Sequence, residues 1–225
     1  MCSSSLCSNN FVFLGELGCG KSEIALNKAI SLAAQGKNVC FVDLDMTKPL
    51  FRSRDVSKML DDKGISVCYS DQFMDAPVSN VGIEYPLKNK EIFTVLDVGG
   101  NETGARAIGR YRQILQDSGT LFYYVINPYR AWAGTIEHID GVLGTILKAA
   151  RVDLESIEFV ANPNLGINTT TEDVIKGYYT LKNMLEPYAE ISFCTAMNEL
   201  SESAGEQIDV PVIPLELYLQ YPWEK

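Results

Sequence analysis

"GELGCGKS" occupies residues 15–22, directly after the apolar run "FVFL" at 11–14. Gly15, four further residues, then Gly20, Lys21 and Ser22 make a complete G-x-x-x-x-G-K-[ST] pattern. Glycine tolerates positive φ, so such a segment can curl until successive backbone N–H groups converge on one point. A helix starting at Lys21 would add the positive end of its dipole there. Converging amides and a dipole end suit a phosphate chain. Lys21 would reach the β- and γ-phosphates, and the Ser22 hydroxyl would ligate Mg²⁺. Gly15, Gly18, Cys19, Gly20, Lys21, Ser22 and Glu23 are therefore the expected cofactor-binding residues of the loop and first turn. At ordinary residue frequencies the pattern arises by accident in roughly one chain in a hundred of this length.

Outward from the loop, short runs rich in β-branched and aromatic residues recur: "VCFVDLD" (39–45), "IFTVLDV" (92–98), "TLFYYVIN" (120–127), "IEFVAN" (157–162) and "ISFC" (191–194). They are continuous rather than alternating, as in strands covered on both faces. Residues 21–35 are apolar over a wide arc and stop at Gly36, and 135–149 carry an apolar stripe from Ile136 to Leu147. Strand, helix, strand in repetition predicts an α/β fold, a mostly parallel β-sheet sandwiched by helices. Residues 1–10 read as a flexible leader and 11–225 as a single domain. The stretch 70–90 has two prolines and weak periodicity, so it reads as a long loop with room for a short helix, either a lid or an inert insertion.

Ligands in parallel sheets sit at the carboxyl ends of strands. Asp43 and Asp45 end the second apolar run, Asp97 the third, and Asn127 and Asn162 the next two. Mg²⁺ keeps several waters and takes few protein oxygens, which suits Asp97 as the carboxylate that orients a metal-bound water. Gly100 completes a D-x-x-G, where a backbone N–H approaches the γ-phosphate. Asp43 and Asp45 are two apart and so share a strand face. Asp43 is the candidate for the metal's outer shell and Asp45 for the base or water-positioning group. Lys21 and Asp45 are thus the candidate catalytic residues, and Ser22, Asp43 and Asp97 the candidate metal set.

The chain has 225 residues and a formal net charge of −10, which disfavours nucleic acid and anionic membranes as partners. No apolar stretch is long enough to span a bilayer, and the first ten residues lack the features of a signal peptide. Six cysteines without C-x-x-C spacing, and one histidine, argue for free thiols in a reducing cytoplasm rather than a disulfide framework or zinc site. His138 lies among apolar helix neighbours and reads as packed or solvent-facing. Five of the seven arginines (Arg52, Arg54, Arg106, Arg110, Arg112) fall in two segments that follow Asp45 and Asp97. They could clamp an anionic second substrate, stabilise transition-state charge or pair with surface acids.

With "VDLD" at 42–45 on the strand after the first helix, the chain resembles the SIMIBI class of P-loop NTPases, which includes the ParA/MinD ATPases, nitrogenase iron protein and dethiobiotin synthetase. It resembles more closely a group of bacterial ATP-binding proteins of undefined role. The carrying segments are "GELGCGKSEIALNKA", "VDLDMTKPLFRSRD", "LDVGGNETGARAIGRY", "NPNL" and "PLELYLQYPW". The resemblance implies ATP and Mg²⁺ as cofactors, slow hydrolysis, and Asn162 against the base. Adenine is favoured because 162–165 lacks the N/T-K-x-D of guanine-specific relatives. Glu16 stands where the partitioning ATPases carry a lysine that bridges a dimer, so any homodimer would lack that lysine-bridged sandwich. Two functions remain open: a nucleotide-dependent switch with a protein partner, or a phosphotransferase or ligase acting on a small anionic substrate. A binding module with little turnover is a third, weaker reading.

Overall fold

The structure, a computed structural model, describes residues 8–44, 54–69 and 82–219. Asp45, Arg52 and most of the 70–90 stretch, expected as a loop, lie outside the described residues. Within them, eight strands form one parallel sheet: β1 (Asn10–Gly15), β2 (Asn38–Leu44), β3 (Ile65–Tyr69), β4 (Ile92–Val98), β5 (Leu121–Ile126), β6 (Ile157–Ala161), β7 (Ile191–Met197) and β8 (Val212–Leu215). Their order across the sheet is β3-β2-β4-β1-β5-β6-β7-β8. All seven pairings are parallel.

Helices cover both faces, as the continuous apolar runs require. Odd positions of β1 (Phe11, Phe13) pack with Val39, Phe41 and Val95 under α1 (Lys21–Ala34) and α2 (Arg54–Asp62). Even positions (Val12, Leu14) pack with Val42 and Leu96 under α4 (Glu102–Gly109), α6 (Ile136–Ala150) and α7 (Thr171–Leu185). The shorter α3 (Glu84–Lys88), α5 (Arg112–Asp117) and α8 (Asn198–Gly205) complete the described helices. α1 ends as expected, with Gly36 at φ 74° taking the left-handed turn that follows. α7 begins with a full capping box, Thr170 and Asp173 bonding each other's backbone N–H.

Two strands carried no sequence signal. β3, "ISVCY", is only five residues long and is interrupted by Ser66; β8, "VIPL", contains Pro214. Both are edge strands, where short length is common and a missing N–H can face away from the ladder. Asn10, expected as the last residue of a flexible leader, is instead the first of β1. It is 1 % exposed, and its amide donates to the Leu87 carbonyl at 3.0 Å and to Ser118 Oγ at 2.8 Å.

Candidate nucleotide site

Residues 16–20 join β1 to α1 and form the bend that the glycines demanded. Gly15, Gly18 and Gly20 adopt φ of 140°, 76° and 96°, values that L-residues with side chains rarely take. The bend is also sterically closed. A Cβ on Gly15 would stand 2.4 Å from the Val125 carbonyl oxygen, and one on Gly20 would stand 2.1 Å from Asn162 Nδ2. Cys19 points down into the core beside α1 and is fully buried, a small packed side chain.

Lys21, the first residue of α1, is 1 % exposed and donates through Nζ to the Glu16 carbonyl at 2.7 Å. Its ammonium therefore crosses the bend from the helix side. Ser22 follows on the same buried turn. The two strand-end carboxylates meet at this edge: Asp43 of β2 and Asp97 of β4 are register partners, and Asp97 is also opposite Phe13 of β1. By the two-residue period of strands both lie on the face covered by α1, with Phe41 and Val95. Ser22, Asp43 and Asp97 supply hard oxygen donors only. That chemistry fits Mg²⁺, which needs one or two carboxylates plus phosphate oxygens rather than an all-protein cage. Among the described residues no group of three His, Cys, Asp or Glu side chains could hold a metal unaided.

Gly100 packs directly on the loop. A Cβ there would meet Leu17 N at 2.5 Å and the Glu16 carbonyl carbon at 2.7 Å. The "DVGG" turn and the phosphate bend thus touch backbone to backbone, and Asn101 then caps α4 by accepting from Gly104 N at 2.8 Å.

Two expected ligand-contacting side chains are occupied in holding the scaffold. Asn162, expected against the base, donates from Nδ2 to the Cys19 carbonyl at 2.7 Å and accepts from Thr195 Oγ1 at 2.9 Å. It braces the underside of the loop. Glu23, expected at the cofactor, accepts from the backbone N–H of Tyr218 at 3.0 Å and of Leu219 at 2.7 Å. Together with Asn27, which exchanges two bonds with Glu216, it straps the C-terminal segment along α1.

Residues absent from the sequence reading also reach the loop. Arg130, outside both arginine clusters, donates through Nε to the Gly18 carbonyl at 2.9 Å. Its only sequence signal is a position three residues past Asn127, the strand end that is itself tied to Asn164. Two of the clustered arginines form surface ion pairs instead, Arg106 with Glu102 and Arg112 with Asp153. His138 is exposed, its ring edge-on to Trp132.

Glu16 is 7 % exposed, and its Oε1 has no hydrogen-bond partner. Burial raises its pKa from the ordinary 4.5, opposed in part by the Lys21 ammonium and the Arg130 guanidinium. A carboxyl whose folded pKa exceeds the unfolded value binds protons more tightly when folded. Stability then falls as pH rises from the ordinary carboxylate range through the folded pKa. Glu16→Gln is expected to flatten that part of the stability–pH curve and to raise neutral-pH stability of the nucleotide-free protein. Thermal melts from about pH 4 to about pH 8 check it, and a slope identical to the parent's would refute it.

The architecture, a parallel sheet between helices with a G-x-x-x-x-G-K-S bend joining β1 to α1, is a P-loop NTPase fold, the class that the sequence resembles. No family model matches the chain, and no curated protein does. Among solved structures it is similar to a nucleotide-binding protein from Archaeoglobus fulgidus in complex with ADP, at 17 % identity over 88 % of this chain and 86 % of that one, TM-score 0.46. It is similar to FlhF complexed with GMPPNP and Mg²⁺, at 18 % identity over 69 % of this chain and 55 % of FlhF, TM-score 0.43. It is also similar to the signal recognition particle 54 kDa protein of Aeropyrum pernix in complex with GDP, at 13 % identity over 91 % of this chain and 40 % of that one, TM-score 0.43. The chain thus spans about half the length of the latter two. Among the described residues no helix is long and apolar enough to cross a membrane.

Proposed function

We propose that this chain binds a nucleoside triphosphate with Mg²⁺, ATP in preference to GTP, and acts as a slow ATPase whose nucleotide state alters contacts with a protein partner. The observation that carries this reading is the loop itself: three glycines at positive φ, closed from outside by Val125 and Asn162, with the buried Lys21 ammonium spanning the bend. Lys21 and the loop amides would hold the phosphates, and Arg130, anchored at Gly18, would add a second positive charge at the rim. Ser22, Asp43 and Asp97 would hold the magnesium, which neutralises phosphate charge when bound. Asp45 is proposed as the group that positions the attacking water. Adenine preference rests on "NPNL" at 162–165.

The switch is preferred to phosphoryl transfer because Arg106 and Arg112, candidates for a second-substrate clamp, are engaged with surface carboxylates. The −10 charge favours a protein partner over nucleic acid, and six cysteines without C-x-x-C spacing favour a reducing cytoplasm as its setting. Titration calorimetry with Mg·ATP and Mg·GTP, paired with phosphate-release assays, tests the reading. Saturable ATP binding and release without added metabolite support it. No heat at millimolar nucleotide overturns it, and release only with a metabolite replaces the switch by a transferase.

A further inference from the structure

Cys40 of β2 and Cys68 of β3 are distant in sequence and adjacent in space. Their sulfurs stand 2.8 Å apart, roughly 0.8 Å beyond a disulfide bond length of about 2.05 Å. Both belong to the face packed by Val42 and Leu96. The register sets the pairing: Val42 is opposite Cys68, so Cys40 lies one diagonal step away on the same face. The two thiols differ in setting. Cys40 is 4 % exposed, whereas Cys68 is half-buried on the edge strand of the sheet. A half-buried thiol backed by a buried one suits an attacking and a resolving cysteine.

We infer that Cys40 and Cys68 are a redox modification site, a dithiol that a hydroperoxide converts to a disulfide. The Cys68 sulfur attacks the outer peroxide oxygen. The O–O bond breaks, the alcohol or water leaves with the thiol's proton, and Cys68 becomes a sulfenic acid. The Cys40 sulfur then attacks the Cys68 sulfur, the S–O bond breaks, and the departing hydroxide takes the Cys40 proton as water. Two thiols are oxidised by two electrons and one peroxide is reduced. The hydrogen bond between the sulfurs holds the Cys68 pKa below its ordinary 9.0 and raises that of Cys40, which favours attack from the half-buried member. The other described cysteines lack such a neighbour: Cys194 is fully buried, with its thiol pushed up to about 12, and Cys19 is sealed under the loop.

The bond would fasten β3 to β2 diagonally, from three residues before Asp43 on β2 to one residue before its register partner Tyr69 on β3, and close a loop containing α2 and Asp45. The site does not depend on nucleotide binding. Its test is exposure of the intact, reduced chain to hydrogen peroxide, then alkylation, mass measurement and non-reducing peptide mapping. The expected result is a mass lower by two hydrogen atoms, loss of two of the six free thiols, and one linked peptide pair carrying Cys40 and Cys68, reversed by dithiothreitol. Cys40→Ser is expected to leave Cys68 oxidised to sulfinic acid instead. Both cysteines recovered alkylated, or a linkage through other cysteines, would overturn the inference. The map of the parent chain decides even if the variant folds poorly.

Discussion

Lys21→Ala is expected to weaken binding of Mg·ATP by about a hundredfold, a loss of roughly 3 kcal/mol. The ammonium is buried at 1 % exposure, so water screens it little, and charge-assisted bonds to phosphate oxygens are strongest in such a setting. Its present partner, the Glu16 carbonyl at 2.7 Å, is a neutral acceptor that a polyanion would readily outcompete. The variant keeps the glycine bend, the helix dipole and Ser22, so weak residual binding should persist. Calorimetry with circular dichroism as the folding control measures the effect. Parental affinity in a folded Lys21→Ala chain would mean that phosphate does not sit in this loop.

Asn162→Leu should lower folding stability by about 2–4 kcal/mol although it keeps the number of side-chain heavy atoms and their branching. The amide links the Cys19 carbonyl to Thr195 Oγ1, and Thr195 is completely buried. Leucine would leave both groups without that partner in a place that water does not reach, at about 1–3 kcal/mol each. Thr195 keeps a longer bond to the Ala161 carbonyl at 3.3 Å, which limits its share. For a chain of this size the expected fall in Tm is roughly 6–12 °C. Urea denaturation should show a lower midpoint with an unchanged slope. In a double-mutant cycle, Thr195→Val should lose most of its own cost once Asn162→Leu is present, because the shared bond is already gone. Additive losses, or a midpoint within about 0.5 kcal/mol of the parent, would show that Asn162 does not brace the loop. Since Nδ2 fills the space a Gly20 Cβ would occupy, the same change should also loosen the phosphate bend and weaken ATP binding in step.

The local code carried the features whose physics is local. A bend at positive φ next to a strand end needs glycine, so Gly15, Gly18 and Gly20 announced the loop wherever the rest of the chain went. Continuous apolar runs announced strands covered on both sides, and six of the eight were read from them; β3 and β8 escaped because an edge position does not demand a long apolar run. Asp43 and Asp97 could be assigned to one edge because parallel strands end together. Tertiary structure alone decided what the strand-end side chains touch. Asn162 and the Cys19 carbonyl are 143 residues apart, and Glu23 meets Leu219 across 196. Arg130 reaches Gly18 across 112, and Cys40 meets Cys68 because β3 lies beside β2. Whether an asparagine at a strand end faces a ligand or the underside of a loop depends on the register of three neighbouring strands. Register is set by the packing of the whole sheet, and no periodicity within one strand encodes it.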